Sequence, residues 1–347
     1  MGEFAGYDMP LYYGEGVLKE HEWTRSHAGL FDVSHMGQVM TTGPGVIKFW
    51  EHVTPSAFGS IPDGRARYTV LPNAEGGIVD DLIVTRLGEG EFFTVINAGC
   101  KDKDIAWLKE YLPSDVKMDV WTDRALIALQ GPEAEKALRE VLGIDTADMP
   151  YMWGMKVGDL MVSRLGYTGE DGFEISVPNA EAEATWNKLL AHPSVKPVGL
   201  AARDSLRLEM GYPLYGHDIT AETSPVEANL NWVIAKDHRD YIGAKTIVPH
   251  LEGGVMRQRV GIRLIDKGIA REGAEIRNEH DVRIGTMTSG GFSPTLKASI
   301  GQGYVDSLYV TPGTKVFVNV RGNNIAAEIA PLSLVPAKTK SMKKKAA

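Results

Sequence analysis

Asn73-Ala-Glu-Gly-Gly-Ile-Val-Asp-Asp-Leu-Ile-Val-Thr-Arg86 is the stretch whose reading decides the fold. A glycine pair turns the backbone, and a β-branched apolar run follows, so the segment reads as a hairpin entering a strand. Two adjacent aspartates interrupt that run. Side chains alternate along a strand, so Asp80 and Asp81 should face opposite sides. One of them must then point inward unless a pocket opens there. A carboxylate at the mouth of a buried cavity, near a strand end, can contact a substrate amine. The ordinary alternative is a turn aspartate followed by a solvated one, because charged residues are mostly exposed.

Working outward, residues 68–71, 78–86 and 92–97 read as three strands joined by glycine-containing turns. Residues 17–28 read as a helix that Gly29 could end, 31–39 as one extended run, and 46–53 and 103–111 as helices. Together these predict an α+β unit with a mostly antiparallel sheet. Residues 124–130 form another apolar strand. Gly131-Pro132-Glu133 opens a helix, with Pro132 suited to its first turn. Strands at 159–164 and 172–177 and a helix at 181–190 come next. The helix at 199–211 carries Arg203 and Arg207 on one face. After about residue 255 the chain turns to short strands with Gly, Pro and Asn turns, which predicts a small barrel or sandwich. No internal repeat is evident.

A chain of 347 residues predicts two or three domains. Its 43% apolar and 24% charged content are those of a globular protein, and the formal charge of −8 argues against nonspecific nucleic-acid binding. No apolar run has membrane-spanning length, and Met1-Gly2-Glu3-Phe4 does not resemble a secretory signal. Cys100 is the only cysteine, so neither an intrachain disulfide nor a cysteine-built metal site is possible, and a reducing compartment fits. Lys338, Lys340, Lys343, Lys344 and Lys345 crowd the C-terminus as a basic tail, expected to be solvated or to dock an acidic partner.

Several familiar catalytic arrangements are missing: the dinucleotide and phosphate-binding glycine loops, the His-Glu-x-x-His zinc helix and the Gly-x-Ser-x-Gly elbow. His35, in an apolar stretch, reads as a hydrogen-bonded core histidine. What remains is polar residues on strand ends and turns. Gly166-Tyr-Thr-Gly-Glu-Asp-Gly-Phe-Glu174 lets the backbone approach a flat ligand, offers the Tyr167 ring for stacking, and ends in a carboxylate. Glu174 could accept two hydrogen bonds from a pterin or purine edge, or be the edge residue of a plain hairpin. Arg203 could fork onto a ligand carboxylate, or pair structurally with Asp204 or Glu209. Together these fit a ligand with a flat nitrogenous head and an anionic tail, the shape of a reduced folate.

The chain resembles the glycine cleavage T-protein family, the aminomethyltransferases. The resemblance is carried by Phe31-Asp-Val-Ser-His-Met-Gly-Gln38, Gly76-Gly-Ile-Val-Asp-Asp-Leu-Ile-Val84, Gly166 to Glu174, Gly199-Leu-Ala-Ala-Arg-Asp-Ser-Leu-Arg-Leu-Glu209 and Thr288-Ser-Gly-Gly-Phe-Ser-Pro-Thr-Leu296. These occur in the family's order and span nearly the whole chain. The resemblance implies a three-domain, cloverleaf-like ring: an α+β domain from residues 1–36 and 123–250, a second from 37–122, a C-terminal β-barrel at 251–338, and a tail at 339–347. It implies tetrahydrofolate in a central channel, no metal, and lipoylated H-protein as partner. The implied reaction transfers a one-carbon unit from the aminomethyl-lipoyl arm to tetrahydrofolate, releasing ammonia. By position, Asp80 matches the family's catalytic aspartate. Met36, Tyr68, Asn97 and Tyr167 match residues lining the folate site, Glu174 the pterin-binding glutamate, and Arg203 the arginine near the folate. A bacterial cytoplasm is the expected location, or the mitochondrial matrix in a eukaryote.

Two departures from the family pattern stand out. Relatives usually carry about twenty further residues at the start (termini commonly vary), and a tyrosine often follows the final Val-Pro. Here Val335-Pro336 leads into Ala337-Lys338-Thr339. A folate-dependent demethylase on the same scaffold is one rival reading. A folate-binding assembly factor without turnover is another, although the Lys-Gly-Cys-Tyr-x-Gly-Gln-Glu type of motif such factors carry has no counterpart around Cys100.

Overall fold

The turn at Asn73–Gly77 is closed by Asn73, whose backbone N–H donates to Gly77 O (2.8 Å) and whose Oδ1 accepts from the Gly77 N–H (2.8 Å). Gly76 has φ +86°, and a Cβ on Gly77 would lie 1.7 Å from the Ala221 carbonyl oxygen, so the turn requires both glycines. It joins Ala66–Pro72 to Ile78–Gly88, which continue through Glu91–Ile96 and Gly37–Thr42 to Lys117–Trp121 as a five-stranded antiparallel sheet. Phe49, Trp50 and Leu108, from helices Val46–Val53 and Lys101–Glu110, pack on one face against Leu82 and Val84. Val70 and Ile78 instead join Ile219, Val226 and Ile247. The computed structural model that gives these relationships describes residues 1–341.

A second sheet has the order Trp153–Val157, Leu160–Arg164, Gly172–Pro178, Arg124–Gln130, Ala28–Asp32, Val195–Pro197, parallel only at the last pair. Leu30, Ile127, Leu129 and Phe173 face helices Ala134–Leu142 and Asn179–Leu190. Their alternates, Phe31, Leu126 and Ala128, face helix Leu200–Glu209 through Ala202 and Leu206. The third sheet is a closed six-stranded barrel, filled by Val260, Ile262, Ile276, Met287, Val318 and Ile329. Closure leaves no exposed sheet edge.

Each sheet is tied to its neighbours. Ala66 N–H donates to Met152 O (2.8 Å) between the first two. Arg207 reaches Ser289 Oγ (3.1 Å) between helix Leu200–Glu209 and the barrel. Arg259 N–H donates to Glu227 O (2.8 Å), fastening the barrel to the segment that covers Val70 and Ile78. The α+β class and the C-terminal barrel read from the sequence are those of the structure.

Four local expectations need correction. The first helix is Val17–Ser26, and Gly29 lies inside the strand Ala28–Asp32. The run 31–39 is not continuous: a turn at Val33–Met36 (Met36 N–H to Val33 O, 3.0 Å) passes the chain from one sheet to the other. Helix Ala244–Gly253 contains Pro249, and sequence reading assigned no helix there. Lys338 and Lys340 are tied to the fold rather than free, since their ammonium groups pair with Glu170 (3.1 Å) and Glu135 (2.9 Å), although Lys338 stays exposed. Lys343, Lys344 and Lys345 lie outside the described residues.

Candidate active site

Asp80 and Asp81 leave their strand on opposite faces. Asp80 is fully buried (0%) and turns toward helix Lys101–Glu110, where the Cys100 thiol and the Asp104 carboxyl lie against it. Asp81 is 8% exposed and faces the same side as Tyr68, two strand positions from its own cross-strand partner. A register shift in the Asp80 stretch, opposite Leu71 and Pro72, sets where the alternation falls.

Asn97 joins the two carboxylates. Its Nδ2 lies 3.0 Å from Asp80 Oδ1, 3.0 Å from Asp81 Oδ1 and 2.9 Å from the Asp81 carbonyl. Three acceptors around one atom identify it as the amide nitrogen. The Tyr68 hydroxyl lies against Asp81 without completing a hydrogen bond of standard geometry. Burial, and then the charge of Asp80, push the Asp81 carboxyl above the usual carboxylate range; Tyr68 and Asn97 pull it partly back. Burial and the Asp81 charge also hold Tyr68 as a neutral phenol.

From the second sheet, Tyr167 presents its ring to Arg203, whose guanidinium carbon lies 5.0 Å from the ring centroid. Tyr167 is itself stacked on Tyr212 (5.7 Å) and held through its hydroxyl by the Pro213 carbonyl. Arg203 makes neither of the structural ion pairs open to it on its own helix. Asp204 is taken by Arg207 (2.8 Å) and Glu209 by Arg25 (2.7 Å), which leaves Arg203 Nη1 without a partner among the described residues. Glu174 is buried on strand Gly172–Pro178, with no side-chain hydrogen bond among the described residues. Burial raises its carboxyl pKa, and Arg203 opposes that shift. Met36 packs at the edge of the Phe31–Leu206 cluster.

The structure thus brings Tyr68, Asp81, Asn97, Tyr167, Glu174 and Arg203 into one neighbourhood, and places Asp80 behind it. His35 is buried, but its Nδ1 has no hydrogen-bond partner among the described residues. It sits edge-on to Phe4 (5.5 Å), and burial, then Arg203, lower it to about 4. Sequence reading missed Trp232. This indole is 64% exposed and stacks on the Tyr68 ring at 5.3 Å. Its sequence surroundings, Leu230-Asn-Trp-Val-Ile-Ala235, look like an ordinary apolar stretch and give no signal of an exposed ring.

Two sheets with flanking helices, joined to a closed barrel, have clear counterparts. The GCVT N-terminal domain matches residues 1–238, and the glycine cleavage T-protein C-terminal barrel domain matches residues 257–335. The chain belongs to the glycine cleavage T-protein family. It is 42% identical to the mitochondrial aminomethyltransferase of Saccharomyces cerevisiae, over 97% of this chain and 91% of that one. The human mitochondrial aminomethyltransferase is 41% identical over 97% and 86%. The crystal structure of glycine cleavage system aminomethyltransferase T from Bartonella henselae superposes with a TM-score of 0.94, at 41% identity over 98% of this chain and 95% of that one. Relatives therefore include both mitochondrial and bacterial proteins. No helix among the described residues is long and apolar enough to cross a membrane.

Proposed function

We propose that this chain transfers the one-carbon unit of an aminomethyl group, carried on the lipoyl arm of H-protein, to tetrahydrofolate, with release of ammonia and formation of 5,10-methylenetetrahydrofolate. The observation that carries the reading is a set of polar groups delivered by separate segments to one place: the Tyr68 hydroxyl and Arg203 Nη1, without a hydrogen bond of standard geometry among the described residues, and the buried Glu174 carboxylate. Buried polar atoms are ordinarily satisfied, so a group of orphans marks a ligand's position. Their chemistry fits a reduced folate. Glu174 would hold the pterin edge, Tyr167 and Trp232 offer flat faces, Arg203 offers a cation to the anionic side, and Met36 an apolar contact. Bound there, tetrahydrofolate would supply the nitrogen nucleophile.

The reacting carboxylate must touch substrate. Sequence matching put Asp80 in that role, but Asp80 is sealed against helix Lys101–Glu110, whereas Asp81 faces the tyrosines. We therefore assign the reacting role to Asp81 and keep Asp80 as a supporting group. Asp81 can orient an amine, stabilise positive charge that develops near it, and accept a proton. Its raised proton affinity, caused by burial and by Asp80, suits the last task. Tyr68 and Asn97 fix its rotamer by donating to it or lying against it.

The test is ammonia formation from aminomethylated H-protein, with and without tetrahydrofolate. Rapid ammonia release that needs both supports the assignment. Turnover of a methylated amine, ether or thioether without H-protein would replace it with demethylation.

A further inference from the structure

Behind Asp81 lies a second carboxyl pair that the reaction itself does not touch. Asp80 and Asp104 are both fully buried (0%) and in contact. Neither Asp104 oxygen, nor Asp80 Oδ2, has a hydrogen-bond donor among the described residues. Two carboxyl groups in contact and away from water repel each other when both are charged, so the pair is held together by a proton that they share. Asp80 Oδ1 accepts from Asn97 Nδ2 (3.0 Å), whereas neither Asp104 oxygen has a donor among the described residues, so the geometry points to Asp104 as the member that carries the shared proton. The surrounding groups agree. Lys103, next to Asp104, spends its ammonium on the Val79 carbonyl and the Tyr215 ring (3.8 Å). The Cys100 thiol, pushed up by burial and then by the Asp80 charge, stays protonated and lies against Asp80 as a weak second donor. Asp81 contributes only further negative charge.

We propose that Asp104 is a positioning residue that acts as a buried carboxylic acid. It donates its proton to Asp80, keeps Asp80 anionic, and through the Asn97 bridge fixes the orientation and the basicity of Asp81. The inference rests on the assignment of Asp81 as the reacting group. Burial, followed by the hydrogen bond to Asp80 and its charge, raises Asp104 far above the ordinary carboxylate range, in agreement with the geometry.

The role makes an unusual demand on variants. Asparagine mimics a neutral acid that donates to Asp80, so Asp104→Asn should keep kcat within about threefold and leave the acid limb of the kcat/KM profile in place. Asp104→Ala removes the donor. The hydrogen bond that holds charge on Asp80 beside Asp81 is then lost, and the acid limb should move down by about one pH unit, with kcat reduced about tenfold or more. A purely structural Asp104 would lower thermal stability in either variant and leave the limb where it was.

A second readout does not depend on Asp81. Infrared difference spectra at neutral pH should contain a protonated-carboxyl C=O band in the wild type that Asp104→Asn abolishes. Absence of that band, or an equal limb shift in Asp104→Asn and Asp104→Ala, overturns the proposal. If the band is present but the acid limb survives Asp81→Asn, it is the Asp81 assignment that fails.

Discussion

Asn97 and Asp81 are joined twice, through a 3.0 Å contact from the amide nitrogen to the carboxylate and a 2.9 Å contact to the carbonyl of the same residue. One side chain therefore sets both the backbone and the rotamer of the carboxylate. Removing the donor leaves two neighbouring buried aspartates with nothing between them. Asn97→Ala should raise the proton affinity of Asp81, because the hydrogen bond that favours its charged form is gone. The active form is the carboxylate, so the acid limb of the pH–rate profile should move to higher pH and kcat should fall about tenfold or more. Steady-state rates across pH at saturating substrates check this; an unmoved limb would remove Asn97 from the account.

Trp232 is an exposed indole stacked on Tyr68, at the edge of the orphaned polar groups. A flat ligand meeting Tyr68 must also meet or displace this ring. Trp232→Ala should raise the KM for tetrahydrofolate about tenfold, from the loss of about 1–1.5 kcal/mol of ring contact, with a smaller change in kcat. Folate titration should quench tryptophan fluorescence in the wild type, with a visibly smaller quench in the variant.

Glu174 is buried, and Arg203 Nη1 has no hydrogen-bond partner among the described residues. Loss of a charge-assisted pair of hydrogen bonds costs about 1.5–3 kcal/mol. Glu174→Ala should therefore weaken folate binding about ten- to a hundredfold by calorimetry. An unchanged dissociation constant would reject its placement on the pterin edge.

Glu209 locks the second sheet to the barrel. It accepts from Arg25 (2.7 Å), Ser293 (2.5 Å) and Thr295 (2.8 Å), and has 0% side-chain exposure. Burial alone would raise its pKa, but His21, Ser293 and Arg25 together bring it down to about 2. An unfolded glutamate takes its proton near 4.3. The unfolded chain thus binds the proton first, and this stabilisation is present above about pH 4.3 and lost as pH falls toward 2. Glu209→Gln should lose about 3–5 kcal/mol in denaturant melts at pH 7, with a much flatter decline on acidification. A variant that melts like the wild type would show that the lobes do not depend on this junction.

Much of the fold can be read from the sequence because its strands are apolar runs set between turn residues, and burial on a sheet requires little else. Arg257–Leu264, Lys315–Val320 and Arg124–Gln130 are examples whose limits follow from composition alone. The site is less legible. Asp-Asp on a strand promises opposite faces, but which member meets the ligand is decided by a register shift near Leu71 and by helix Lys101–Glu110 packing over Asp80, both tertiary facts. Asp104 looks like any acidic residue in a helical first turn. The freedom of Arg203 depends on where Arg207 and Arg25 find their carboxylates, which are 184 residues apart in the second case.

The central claim is that Asp81 is the carboxylate at the reacting carbon. Its most direct test is kcat for Asp81→Asn, measured with saturating aminomethylated H-protein and tetrahydrofolate. A fall of about 10²–10⁴-fold with an unchanged folate dissociation constant is expected; turnover near that of the wild type would contradict the claim.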